Sequence, residues 1–110
     1  MAAYSEITIE QGATFNTTVN VTDVYNNAVN LYGYSASSMM RKSYYSQIAY
    51  DIEASVTGTA NGEVTLHISA ANTAILSPGR FVYDLIINDG ANTITRVVEG
   101  IATVLPSVTR

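Results

Sequence analysis

The stretch "IAYDIEASVTGTANGEVTLHIS", residues 48–69, decides the fold of this chain of 110 residues. Alternate positions in both halves are apolar, namely Ile48, Tyr50, Ile52, Ala54 and Val56 in the first half and Val64, Leu66 and Ile68 in the second. A period of two residues is typical of a strand with one buried face. The Asn-Gly pair at residues 61–62 suits a type I′ turn, whose two central residues both need positive φ. The stretch therefore predicts an antiparallel hairpin.

The same alternation extends in both directions from this hairpin. It predicts strands that start at Ile7, run from Phe15 to Val21, from Ala36 to Lys42 and from Phe81 to Ile87, and end with a long strand over residues 93–105. Residues 69–76 break the pattern, because their apolar side chains recur at near-helical spacing until Ser-Pro-Gly follows. We therefore expect one short helical turn before the penultimate strand.

About seven strands with one helical turn indicate an all-β fold in one domain spanning residues 1–110. The expected architecture is an antiparallel immunoglobulin-like β-sandwich, although a small barrel would give the same periodicity. The sandwich is favoured because its short turn crosses between sheets and a tyrosine early in the next strand anchors the crossing, a role that Tyr83 fits. In the last strand, Gly100 predicts a bulge or a close approach of another backbone segment.

The charge balance and composition exclude several classes of function. Five Lys and Arg side chains against nine Asp and Glu give a net charge of −4, which opposes nucleic acid as a partner because phosphates attract basic surfaces. Cysteine is absent, so neither a disulfide framework nor a thiolate metal site can form. No apolar run approaches the roughly 20 residues that span a bilayer, and the start lacks a basic and apolar leader. We expect no membrane partner and no cleaved export signal.

The residues that carry chemistry favour a protein without catalytic activity. His67 is the one histidine, and its strand position lies opposite to the apolar face. Asp51 and Glu53 suit an exposed face, and Asp89 suits a turn. Since the sequence has neither a Gly-x-Ser-x-Gly elbow nor a phosphate-binding loop, we expect no enzyme, no metal and no cofactor.

The segment "MMRKSYYSQIAY", residues 39–50, is the candidate binding region. Tyr50 is expected to cover the core, whereas consecutive Tyr44 and Tyr45 in a loop cannot both face inward. Tyr, Met and Arg are enriched in protein interfaces, and adjacent cations help to fix how an acidic neighbour aligns with the surface. The predicted interface is Arg41, Lys42, Tyr44 and Tyr45. A glycan platform is the alternative use of these rings, although Gln47 is the only planar amide close by in the sequence.

Four consecutive segments resemble the immunoglobulin-like domain of tailed-phage virion proteins: "EITIEQGATFNTTVNVTD", "NLYGYSASSMMRKSYYS", "GEVTLHISAANTAILSPGRFVYDLIIND" and "TRVVEGIATVLPSVTR". The chain is similar over nearly its whole length to the amino-terminal domain of phage baseplate upper proteins and to short virion structural proteins of marine and cyanobacterial phages. The most telling positions are Gly12, Leu31, Gly33 and the run from Thr73 through Pro78 and Gly79 to Tyr83.

The resemblance implies a non-enzymatic structural component of a tailed-phage virion. Such a protein binds other virion proteins in multiple copies of a symmetric assembly, as a tail, baseplate or neck adaptor or as a capsid decoration or cement protein. The resemblance also implies localisation in the virion after assembly in the host cytoplasm. The alternative is a carbohydrate-binding adhesion module that takes a host-surface glycan.

Overall fold

The computed structural model describes residues 3–23, 25 and 27–108, of which 57 lie in strands and five in a helix. The elements are β1 Ala3–Tyr4, β2 Ile7–Glu10, β3 Phe15–Asn20, β4 Ser35–Arg41, β5 Ala49–Gly58, β6 Glu63–Ile68, α1 Ala70–Ala74, β7 Gly79–Asn88 and β8 Ile94–Leu105. The all-β prediction is confirmed, with the single helical turn directly before the penultimate strand. The two-residue strand β1 is an addition that the alternation did not predict.

The strands form one continuous sheet that curls into a half-barrel. Its order is β1-β8-β7-β4-β5-β6-β3, with β2 also paired to β8. β1 and β2 run parallel to β8, and every other pair is antiparallel. Residues 49–52 of β5 pair with β4, whereas residues 53–58 pair with β6. β5 therefore joins a larger wing (β1, β2, β8, β7, β4 and the first part of β5) to a smaller wing (the rest of β5, β6 and β3).

The core fills the concave side between the two wings. Its buried apolar members come from both wings: Ile9, Val21, Leu31, Met40, Ile52, Val64, Leu66, Ile68, Leu76, Phe81, Tyr83, Leu85, Ile87, Val98, Ala102 and Val104. The predicted inward face of β7 is confirmed, because Phe81, Tyr83, Leu85 and Ile87 are all buried and β7 pairs on both sides. Ile48 is different, since it precedes β5 and is 69% exposed.

The hairpin between β5 and β6 is confirmed, but the type I′ turn is wrong. Gly58 pairs with Glu63, so the loop has four residues, and Asn61 is not in the left-handed region whereas Gly62 has φ +64°. The register of the β5–β6 pair shifts between Val56 and Gly58, which changes the loop, and a tertiary contact holds the loop in place. The Val21 N–H donates to the Gly62 carbonyl at 2.7 Å, and a Cβ on Gly62 would lie 2.5 Å from the Val21 carbonyl oxygen.

Helix α1 holds the arch that carries the chain from β2 to β3. The hydroxyl of buried Thr73 accepts a hydrogen bond from the Gly12 N–H at 3.1 Å and lies 2.8 Å from the Ala13 carbonyl oxygen. The side-chain amide nitrogen of Gln11 donates to the Leu76 carbonyl at 2.9 Å. These bonds satisfy polar groups of the arch, which links β2 in the larger wing to β3 in the smaller one.

Tyr83 and Gly100 hold the beginning of the described chain against β8. They are directly opposite each other in the β7–β8 pair. The Tyr83 hydroxyl donates to the Ser5 carbonyl at 2.8 Å, and a Cβ on Gly100 would lie 1.9 Å from the same oxygen. The close approach predicted for Gly100 is confirmed. The prediction that Tyr83 anchors the crossing turn before β7 is wrong, because its hydroxyl binds Ser5 and holds the link between β1 and β2.

Candidate protein-binding surface

The four predicted interface residues lie where β4 ends and the loop to β5 begins. Arg41 is the last residue of β4, and Lys42, Tyr44 and Tyr45 follow in the loop. The side chains of Tyr44 and Tyr45 are 70% and 94% exposed. At least one of the two rings was expected to face the solvent, and both do. Tyr50 packs partly buried against the core, with its ring edge-on to Phe81 at 5.9 Å between centroids.

The structure separates Lys42 from the other cation. Alternation along β4 buries Met40 and turns Arg41 to the outer face, and Lys42 then reaches the end of the core. The Lys42 ammonium lies 4.4 Å from the centroid of the buried Phe81 ring. A cation over an aromatic face at an exposed site contributes about 0.5–1 kcal/mol. Lys42 therefore covers the core end, whereas Arg41 faces the surface that the tyrosines border.

Arg41 shapes the loop that presents the two rings. One guanidinium nitrogen donates to the Ser46 carbonyl at 2.6 Å, which closes the loop onto the end of β4. Inside this loop, the Ser46 N–H donates to the Ser43 carbonyl at 3.1 Å. An ordered loop loses less conformational entropy on binding, so exposed rings on it form contacts at lower cost.

A groove of about 450 Å³ lies on the outer face of the larger wing beside this loop. We call it the outer groove. Its lining includes Met39, Arg41, Tyr44, Asp84, Arg96 and Glu99, with Val82 and Ile86 between them. Its size is within the roughly 300–1,000 Å³ of ligand pockets. β4, β7 and β8 are adjacent, so side chains that alternate away from the core meet here.

An ion-pair network crosses the groove between β7 and β8. The Arg96 Nε lies 3.2 Å from an oxygen of Asp84, and another Arg96 nitrogen lies 3.5 Å from an oxygen of Glu99. The pairs are partly exposed, so each contributes between zero and about 1 kcal/mol to stability. Two carboxylates and two guanidinium groups balance in charge, so the groove favours partners with mixed polar and apolar surface over polyphosphates.

Sequence reasoning missed Asp84, Arg96 and Glu99 as members of this surface. The available signal was in β7, where Val82 and Ile86 flank Asp84 on the face opposite to the core. Apolar side chains on the solvent face of a strand are a signal of a candidate surface patch. Alternation indicates that face within one strand, but it does not tell which strands are neighbours.

Other polar positions have structural roles in the described part of the chain. His67 lies across from Glu53 on the smaller wing, with 3.9 Å between Nε2 and a carboxylate oxygen. Asp89 accepts hydrogen bonds from the Ala91 and Thr93 N–H groups, which lower the pKa of this exposed carboxyl. Within residues 3–23, 25 and 27–108, no three His, Asp or Glu side chains are grouped as a metal site. The one helix in these ranges, α1, has five residues and is far too short to span a membrane.

Comparisons with known proteins give a structural similarity only. No family model matches the chain, and no curated protein matches it. Among solved structures it is similar to the Listeria monocytogenes internalin-like protein lmo2027, with a TM-score of 0.48 and 15% sequence identity. The match covers 94% of this chain and 28% of that one, so the chain spans under a third of that protein's length.

Proposed function

We propose that this chain is a non-enzymatic structural protein of a tailed-phage virion, which binds other virion proteins through the outer groove and the adjoining loop. The observation that carries the binding role is the pair of exposed rings at Tyr44 and Tyr45, on a loop closed by the Arg41–Ser46 hydrogen bond. Large rigid aromatic side chains beside Arg and Met are the residue types that anchor protein interfaces. The phage assignment itself rests on the sequence resemblance.

We also propose that the half-barrel is an immunoglobulin-like β-sandwich. Three features support this: β5 passes from the larger wing to the smaller one, the β2–β3 arch makes the same crossing, and the buried side chains of both wings meet in one core. The pairing of β2 with β8 and of β3 with β6 also supports two layers at that end, because the two strands belong to different wings. Nuclear Overhauser contacts between Ile9 in β2 and Leu66 in β6 would support facing layers, and their absence would contradict the sandwich.

The proposed binding stabilises the particle because many copies of the chain bind to it. When many copies bind a symmetric lattice, each contact favours the assembled state, and a modest affinity per copy stabilises the whole particle. Quantitative mass spectrometry of purified particles tests this role. We expect the chain in a fixed ratio to the major virion proteins after density-gradient purification. Its presence in infected-cell lysate but not in purified particles would contradict the proposal.

A carbohydrate-binding module is the second candidate, and one observation favours it. The outer groove places Asp84, Glu99 and Arg96 near Tyr44, which supplies the carboxylates and planar donors that sugar hydroxyls need beside an aromatic ring. Titration with host-surface polysaccharide separates the candidates. Binding that Tyr44→Ser removes, together with normal particle incorporation of that variant, supports the carbohydrate role and contradicts the protein interface.

A further inference from the structure

Two strand edges face each other across an opening in the curled sheet. In the described part of the chain, β2 pairs only with β8 and β3 pairs only with β6, so each has a second edge without a neighbouring strand. A groove of about 420 Å³ lies between these edges and is lined by residues 6–8, 10 and 14–17. We call it the seam. The arch held by Thr73 keeps β2 and β3 in different wings, so they do not close the seam by pairing with each other.

The backbone of β3 presents hydrogen-bonding groups along its open edge, which lines the seam at Asn16 and continues beyond it. The Val21 N–H donates to the Gly62 carbonyl, and Val19 is directly opposite Val64. Antiparallel ladders alternate, so the odd-numbered residues of β3 bond to β6. The N–H and C=O groups of Asn16, Thr18 and Asn20 therefore point to the open edge. No bond from these groups to another described residue is present outside the ladder.

The open edge of β3 lacks the usual protection against pairing. Its sequence, Phe-Asn-Thr-Thr-Val-Asn, contains no charge and no proline, two features that normally prevent a strand from being added at an edge. Its inward side chains Phe15 and Val19, with Ile7 of β2, pack on the core but are only partly buried. An added strand would cover these three side chains.

The other side of the seam is acidic. Glu6 and Glu10 are exposed, and neither forms an ion pair with any residue that the structure describes. Both line the seam, where they lie across from the uncharged edge of β3. A second copy of β3 would bring only Asn and Thr side chains to these glutamates, so the charge pattern favours a basic partner over self-pairing.

We propose that the seam binds an extended, basic segment of a partner protein, which adds to β3 as a further strand. The segment hydrogen-bonds to the backbone of Asn16, Thr18 and Asn20, places apolar side chains against Ile7 and Phe15, and places Lys or Arg near Glu6 and Glu10. This is strand addition, in which main-chain bonds give affinity and alternate side chains give specificity. The seam shares no lining residue with the outer groove, so the two surfaces can bind different partners.

The test uses a synthetic peptide of alternating valine and lysine, with the same peptide N-methylated at alternate residues as its control. Backbone amide hydrogen exchange is measured on the full chain. We expect the amides of Asn16, Thr18 and Asn20 to exchange fast alone and at least roughly tenfold more slowly with the unmethylated peptide. The methylated peptide keeps the charge but cannot form the edge bonds, so it should give no protection. Equal binding of both peptides would reduce the interaction to charge attraction and overturn the proposal.

Variants of the chain provide a second readout. Thr18→Pro removes an N–H that points to the open edge, and proline is tolerated there, so this variant should fold but bind at least roughly tenfold more weakly. Thr18→Ala keeps the N–H and should bind as the parent does. Glu6→Gln with Glu10→Gln should weaken the lysine peptide but leave an alternating valine and threonine peptide unchanged. If Thr18→Pro does not fold, the comparison of the methylated and unmethylated peptides on the parent chain still tests the proposal.

Two outcomes separate this proposal from others. Tyr44→Ser with Tyr45→Ser should leave peptide binding unchanged, because these residues belong to the other surface. Concentration-dependent dimers that disappear in Thr18→Pro would mean that a second copy occupies the edge, and would overturn the assignment of a basic partner. Failure of the peptide to protect β3 would not affect the role proposed for the outer groove.

Discussion

The Tyr83 hydroxyl and the Ser5 carbonyl form a 2.8 Å hydrogen bond between positions separated by 78 residues in the chain. Gly100 makes this bond geometrically possible, because any Cβ at that position would collide with the Ser5 backbone. The link between β1 and β2 therefore lies directly over β8. Gly100, which has no side chain, and the phenol of Tyr83 together hold the beginning of the described chain against the larger wing.

Gly100→Ala should destabilise the fold by about 1–3 kcal/mol, as expected for an added methyl group in a packed site. The new Cβ would displace Ser5 and break the Tyr83 bond. Tyr83→Phe alone should cost about 0.5–1.5 kcal/mol, the usual net value of one hydrogen bond. Urea unfolding of both variants and of the double variant measures the coupling. The two costs should be less than additive, because the bond is already lost in Gly100→Ala; strict additivity would show that the two residues act independently.

Stability should fall in alkaline solution through Tyr83. Burial raises the pKa of its hydroxyl above the usual value of about 10. Below about pH 10, folded and unfolded states both hold the proton and the contribution of Tyr83 is complete. Above that pH the unfolded chain releases the proton first, so stability decreases as pH rises through the folded-state pKa. Urea midpoints between about pH 9 and pH 12 should decrease more steeply for the parent than for Tyr83→Phe; parallel curves would contradict this role.

Thr73→Val should cost about 1–3 kcal/mol, because it leaves polar groups of the β2–β3 arch without their partner. The affected groups are the Gly12 N–H and the Ala13 carbonyl. Thr73→Ser keeps the hydroxyl and is the matched control, so it should retain most of the stability. Thermal unfolding of both variants measures the difference. If Val and Ser at this position lower the midpoint equally, lost packing explains the effect and the hydrogen bonds do not.

Leu85→Ala should cost about 2–5 kcal/mol, the range for a buried leucine in a well-packed core. Leu85 is fully buried in the central strand β7, whereas its neighbour Ile86 faces outward and is half-buried. Ile86→Ala is therefore the control and should cost clearly less. Denaturant midpoints of the two variants test the orientation of β7. Equal losses would mean that β7 is covered on both faces in the isolated protein.

Replacing Tyr44 and Tyr45 with serine should leave the isolated domain at nearly full thermal stability, because both rings are exposed. Incorporation into particles should fall by a factor corresponding to roughly 2 kcal/mol or more for each anchoring residue. Tyr25 and Tyr32 are also exposed, at 81% and 84%, but lie outside the outer groove, so the matching double serine variant is the control. Quantitative mass spectrometry of particles gives the readout, and equal incorporation of both double variants would contradict the interface.

Salt provides a further check on the same contact. Arg41 is partly buried and lies at the rim, so raising the ionic strength should weaken incorporation modestly through screening. A surface that binds phosphates would instead lose affinity by orders of magnitude over the same range. A steep decrease would therefore contradict a protein interface and indicate nucleic acid as the partner.

The sequence by itself determined the features that depend on neighbouring residues in the chain. The period of two at Tyr50–Val56 and at Phe81–Ile87 predicts strand and buried face, because successive side chains of a strand point to opposite sides. The helical turn follows from Ser69, whose side chain caps the Asn72 N–H, and from Pro78 after it. Gly100 was recognisable because glycine weakens the interior of a strand and therefore marks a bulge or a close backbone approach there.

Only the tertiary structure decided the features that depend on which distant segments meet. The turn at Asn61 is not type I′, because the β5–β6 register shifts between Val56 and Gly58, and Val21, far away in the sequence, bonds to Gly62 in the resulting loop. The outer groove forms because β4, β7 and β8 are adjacent, which places Arg41, Asp84 and Arg96 on one surface. Lys42 and Arg41 are consecutive, yet they act on opposite sides of the sheet. Strand alternation is a local property, whereas strand order depends on how one shared core excludes water most completely, and no single segment contains that information.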